Sequence, residues 1–126
     1  MQLEEGETYT HQRRFMHEDV HQFGEISGDD QPRHTEPDEE GRLMAQGLLT
    51  ATLPTKLGGD INFLAHTMEF RFRRPVFTGE TITCEMVLDT IDEREDRYNI
   101  DATTTCTNEA DEVVLSGDIS GLIWKQ

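Results

Sequence analysis

Asp29 and His34 stand five residues apart in the polar stretch SGDDQPRH, residues 27 to 34. A carboxylate and an imidazole at this spacing can act as an acid/base pair if a turn brings them to one point. Pro32, between them, stiffens the stretch and lowers the entropy lost in holding them there. Asp, Gln and Pro are also ordinary turn residues, so these residues alone fit a surface loop equally well. A second piece of chemistry follows in AQGLLTA, residues 45 to 51. Gly47 at the start of an apolar helix would present free N–H groups and the positive end of the helix dipole. Such a donor can stabilise a carbonyl oxygen gaining negative charge. The bland reading is that Gly47 lets the chain turn into the helix.

These residues need elements to position them. Residues 7–15 have modest β character and suit a first strand. Residues 16–27 read as a short amphipathic helix, with Val20, Phe23 and Ile26 on one face and Gly28 as its C-terminal stop. Pro32 and Pro37 bracket a loop. Residues 47–57 are apolar around most of the circumference, the mark of a buried helix. Pro54 is expected to kink or weaken its last turn, and Gly58 and Gly59 to close it. The pattern then switches to period two. Met68, Phe70 and Phe72 alternate with charged residues. Ile82, Cys84, Met86 and Leu88 share a parity with Tyr98, Ile100, Ala102, Thr104 and Cys106 across a hairpin centred near Glu95. VVLSGDISGLIW supplies a last strand. One buried helix and four or five antiparallel strands after it predict an α+β hot-dog arrangement: an antiparallel sheet wrapped around a central helix. One domain spans residues 1–126. An open sheet edge predicts pairing of two copies, a homodimer at least.

Composition narrows the function. The chain has 26 Asp and Glu against 11 Lys and Arg, a formal charge of −15, which disfavours nucleic acid and anionic membrane as partners. Period-two apolar runs exclude disorder as the reason for the acidity. A basic partner or adaptation to high salt remains, and the even spread of acids with only two lysines favours salt. No run of apolar residues is long enough for a transmembrane helix, and the acidic start is unlike a secretory signal, so a cytoplasmic location is expected. Cys84 and Cys106 read as buried free thiols that a hairpin could set face to face. His17 and His21 have the i, i+4 spacing of a metal pair but no third ligand; a solvated helix face is the better reading. His11 and His66 are read the same way.

SGDDQPRH resembles the hydratase motif G-D-x-N/Q-P-x-H of the MaoC-like dehydratases, the family of (R)-specific enoyl-CoA hydratases. GRLMAQGLLTATL is similar to that family's G-R-I/V-x-x-H-G-M/L-L-x-A-x-L segment, and FRFRRPVFTGETIT to its F-x-x-P-V-x-x-G-D-T strand turn. The resemblance runs from about residue 8 to the C-terminus. It implies a hot-dog homodimer that hydrates trans-2-enoyl-CoA to (R)-3-hydroxyacyl-CoA, with no metal and no cofactor, the CoA thioester being the substrate; the acidic composition adds a halophile as the source. Carried over by position, Asp29 and His34 would hold one water, and the Gly47 N–H would bind the thioester oxygen. Gln31 and Leu48 fall at substrate-side positions. Gln46 departs from the family's usual His, Gln31 from its usual Asn, and the interval from His34 to Gly47 is short. CoA phosphates need local positive charge on so acidic a protein, which points to Arg73 or Arg74; pairing of these arginines with surface carboxylates is the competing reading. Leu48, Leu49, Leu53, Phe63 and Phe70 suit a core, some of them an acyl pocket. A hot-dog acyl-CoA thioesterase and a non-catalytic acyl-CoA-binding subunit are the alternative functions.

Overall fold

A computed structural model describes residues 2–126. It contains β1 (Thr8–Arg14), α1 (His17–Ser27), α2 (Pro32–Thr35), α3 (Gly47–Thr50), α4 (Thr52–Asp60), β2 (Leu64–Phe72), β3 (Thr81–Glu93), β4 (Arg97–Thr107) and β5 (Val113–Trp124). The five strands form one antiparallel sheet in the order β1-β3-β4-β5-β2. The segment α3–α4 lies on one face of the sheet, where α4 packs on β1, β2 and β3. This is the expected hot-dog fold.

The β3–β4 hairpin follows the expected parity. Ile82, Cys84, Met86 and Leu88 are fully buried, and Ile100, Ala102, Thr104 and Cys106 meet them on the same face. A register shift between Leu88 and Thr90 absorbs one residue, so the strands stay paired to the turn without inverting their apolar face. Cys84 and Cys106 are directly opposed and free. Its hydrogen bond to Cys84 and its burial push the Cys106 thiol up, so it stays protonated.

Three expectations fail, each for a physical reason. Ile26 is 87 % exposed rather than packed beside Val20. Six residues turn a helix through a full circle and two-thirds of another, so Gly24, not Ile26, shares the buried face. The helix of residues 47–57 is two pieces that meet at Ala51, and Pro54 lies in the first turn of α4, where its missing N–H has no intrahelical acceptor to lose. Gly58 and Gly59 lie inside α4, which runs to Asp60; Gly58 packs against Phe63.

β2 is an edge strand. Its pairing with β5 places Met68, Phe70 and Phe72 opposite Ile119, Gly117 and Leu115, on the helix face as the alternation predicts. The edge leaves Met68 and Phe72 about half exposed. Gly117 makes room for the Phe70 ring, which would lie 2.6 Å from a Cβ there. At Gly121 a Cβ would stand 2.0 Å from the Leu64 carbonyl oxygen, so only glycine admits the start of β2.

Candidate active site

The site begins at the end of α1. Gly28 takes the left-handed conformation (φ 78°) and donates its N–H to the Gly24 carbonyl, closing the helix. The Ser27 hydroxyl then accepts the Asp29 N–H at 3.0 Å, which turns the chain sharply. Pro32 opens α2 at its first position, where a fixed φ suits the helix and an N–H is not needed. His34 therefore sits on a single rigid turn, 5 % exposed, five residues beyond Asp29.

Hydrogen bonds fix both side chains. His34 Nδ1 lies 2.6 Å from the Met44 carbonyl oxygen. A carbonyl only accepts, so Nδ1 carries the proton, and in the neutral ring Nε2 is bare. Nε2 faces Asp29 Oδ2 at 3.6 Å, too far for a direct hydrogen bond. The other oxygen, Oδ1, accepts from Gln31 Nε2 at 2.9 Å. Two acceptors thus face each other across a gap that one shared donor, such as a water, can bridge. Both line a cavity of about 220 Å³ with Val20, Gly24, Thr35 and Gln46.

Segment 44–47 is the spine of the site. Met44 N–H bonds the Arg33 carbonyl at 3.0 Å, and Ala45 N–H bonds the Val76 carbonyl at 2.7 Å. Gln46 is buried with its amide turned back under α1. Gly47 starts α3, and among the described residues its N–H meets no acceptor. Gly47 lines a second cavity, also about 220 Å³, with Ala45, Phe72, Arg73, Arg74 and Pro75. The Phe72 ring closes over Gly47: a Cβ would come within 2.8 Å of it.

The structure brings Asp29, His34 and Gln31 together, and it brings Gly47 beside Arg73 and Arg74. Arg74 pairs with Glu112 at 3.3 Å, as do Arg71 with Glu69 and Lys56 with Asp60. Arg73 instead donates from Nε to the Ser116 hydroxyl at 3.1 Å and meets no carboxylate among the described residues. Leu48 is 60 % exposed and lines neither cavity. His17 and His21 are exposed, and among the described residues no group of three or more His, Cys, Asp or Glu side chains is placed to hold a metal. No helix of the described residues is long and apolar enough to cross a membrane. Two contributors escaped the sequence: the Met44 carbonyl, which any residue could supply, and the Phe72 ring, which reaches Gly47 only through the fold.

Comparison with known proteins gives one consistent picture. No family model matches the chain. It is 24 % identical over 129 residues to the mitochondrial 3-hydroxyacyl-[acyl-carrier-protein] dehydratase of Arabidopsis thaliana, covering 96 % of this chain and 78 % of that one. Among solved structures it is similar to the unliganded (R)-hydratase PhaJ1 of Pseudomonas aeruginosa, with TM-score 0.84, 20 % identity, and 98 % and 83 % of the two chains covered. It is equally similar to an (R)-hydratase from A. caviae involved in PHA biosynthesis, with TM-score 0.84, 24 % identity and 98 % of each chain covered. The chain shares the hot-dog fold of these hydratases over nearly its whole length.

Proposed function

We propose that the protein is a MaoC-like hydratase that adds water reversibly to a trans-2-enoyl-CoA, giving the (R)-3-hydroxyacyl-CoA. The observation that carries this reading is the facing pair of acceptors, Asp29 Oδ2 and His34 Nε2, 3.6 Å apart in one cavity. A water bonded to both would be held and polarised at once. As its oxygen bonds to C3, the pair takes one of its protons, and electrons move toward the thioester oxygen. The free N–H of Gly47 supports the charge gathering there. The proton held by the pair then passes to C2, so the elements of one water end on C3 and C2. The fold shared with two (R)-hydratases and the likeness to a 3-hydroxyacyl thioester dehydratase favour this chemistry over thioester hydrolysis.

The experiment is a pair of assays on crotonyl-CoA in molar KCl. Loss of the enoyl absorbance without release of free thiol is expected. Free thiol released in step with loss of the band would make the protein a thioesterase, since hydrolysis also destroys the conjugated thioester, and binding without either change would make it a carrier subunit.

Two copies pair, on this reading, through β2. The β1 edge carries Gln12, Arg13 and Arg14, whereas β2 leaves Leu64, Met68 and Phe72 uncovered. Met68→Lys should turn a dimer into monomers in sedimentation velocity, and an unchanged dimer would place the interface elsewhere. The cytoplasm remains the proposed location. High salt is the proposed environment: thermal stability should rise with KCl as screening relieves the −15 charge, and a flat profile would contradict it.

A further inference from the structure

Gln46 is 1 % exposed, among the most deeply buried polar residues of the protein. Its side-chain nitrogen does two things at once. Nε2 donates to the Val20 carbonyl of α1 at 3.0 Å and to the Asp29 carbonyl at 3.2 Å. Both N–H bonds of the amide are thereby used. Gly24 is the α1 residue against which the amide lies, and even a Cβ there would make only ordinary contact, 3.5 Å from Nε2 and 3.5 Å from the Asp29 carbonyl oxygen. The other amide atom, Oε1, is buried and has no hydrogen-bond partner among the described residues. A buried acceptor without a partner is unfavourable, and the cavity that Gln46 lines with Asp29 and His34 is wide enough for a small donor.

We infer that Gln46 is a positioning residue of the acid/base site, acting through the backbone of Asp29. The inference rests on the hydratase reading for its effect on rate, though not for its effect on structure. Asp29 stands in a turn whose nearest fixed points are the end of α1 and the first turn of α2. Gln46 adds a third, joining that turn to segment 44–47, from which the Met44 carbonyl also orients His34. One four-residue segment thus fixes both members of the pair: His34 through its ring, Asp29 through its main chain. A residue without two donors cannot hold Val20 and Asp29 together.

The test uses two variants of the full chain. Gln46→Met keeps the length and removes both donors. It should lower kcat on crotonyl-CoA at least tenfold and change KM less than threefold, because the CoA-facing side is untouched. Its crystal structure should show the Asp29 turn moved away from Val20, with the Asp29–His34 separation no longer 3.6 Å. Gln46→Glu reads the role differently. A buried carboxyl donates one bond while protonated and none once ionised, so its rate should fall as pH rises through an ionisation that wild type lacks. Rates within twofold of wild type in both variants, with the wild-type pH profile in Gln46→Glu, would overturn the inference. If Gln46→Met does not fold, the Gln46→Glu profile decides alone. If the wild-type protein hydrates no enoyl-CoA, the functional reading falls, and the crystal structure of Gln46→Met judges the positioning role: an unmoved Asp29 turn would overturn that too.

Discussion

The two cavities that flank segment 44–47 are equal in volume and opposite in construction. On one side, Asp29 and His34 are held by a chain of specific bonds. Gln31 takes one carboxylate oxygen, Met44 takes the imidazole N–H, and Gln46 takes the Asp29 carbonyl. On the other side, Gly47 offers only a backbone N–H under the edge of an aromatic ring, beside arginines that are exposed. The first side is built to fix atoms within fractions of an ångström, as proton transfer requires. On the function proposed above, this difference is a division of labour: chemistry on the α1–α2 side, binding and charge stabilisation on the α3 side.

The largest test of this division is loss of the pair itself. Asp29→Asn and His34→Ala should each lower kcat by about 10²–10⁴, the usual worth of a positioned acid or base. Asp29→Asn should unfold at nearly the wild-type temperature, since Asp29 is half-exposed, whereas His34→Ala, which empties a buried site and leaves the Met44 carbonyl without its donor, should melt lower while still folding. Near-wild-type rates in both would remove the acid/base side from the account.

Gly47→Pro comes next. It deletes the one N–H while suiting the first helical position, and Gln46 is already extended (ψ 144°), as a residue before proline prefers. The added ring crowds Phe72, so the variant is best made with Phe72→Ala. Relative to Phe72→Ala alone, kcat should fall by about 10²–10³, the typical cost of one oxyanion donor. Gly47→Ala, which keeps the N–H, should lose far less. Equal losses would mean that crowding, not the donor, matters.

The smallest effect belongs to Arg73→Ala. Its guanidinium is bound to a serine hydroxyl rather than a carboxylate. KM for a CoA thioester should rise a few-fold with kcat unchanged, and the rise should shrink in molar salt as screening weakens the attraction. A fall in kcat with constant KM would erase the line drawn between the two sides.

Legibility in the sequence follows the same line. The hairpin, the central helical segment and the strand order of the chain come straight from apolar spacing, because two-faced elements write their period into the sequence. Asp29, His34 and Gly47 stand out through the family resemblance, since their types and spacing alone fit a surface turn and a helix start equally well. What was hidden is whatever depends on contact at a distance. The break at Ala51 and the harmless place of Pro54 follow from where the helix restarts. Ile26 misled because six residues do not close a helical turn. The Met44 carbonyl has no side-chain signature at all. Gln46 stood out in the sequence only as a departure from a motif, and its two hydrogen bonds exist only once α1 lies beside α3.

The most direct measurement of the central claim is hydration of crotonyl-CoA in deuterium oxide, with analysis of the product. The account predicts a single hydroxyl at C3 in the R configuration and one deuterium at C2, with no such product and an undiminished enoyl band in Asp29→Asn and His34→Ala. A product of S configuration, or the same R product formed at wild-type rate by both variants, would contradict it.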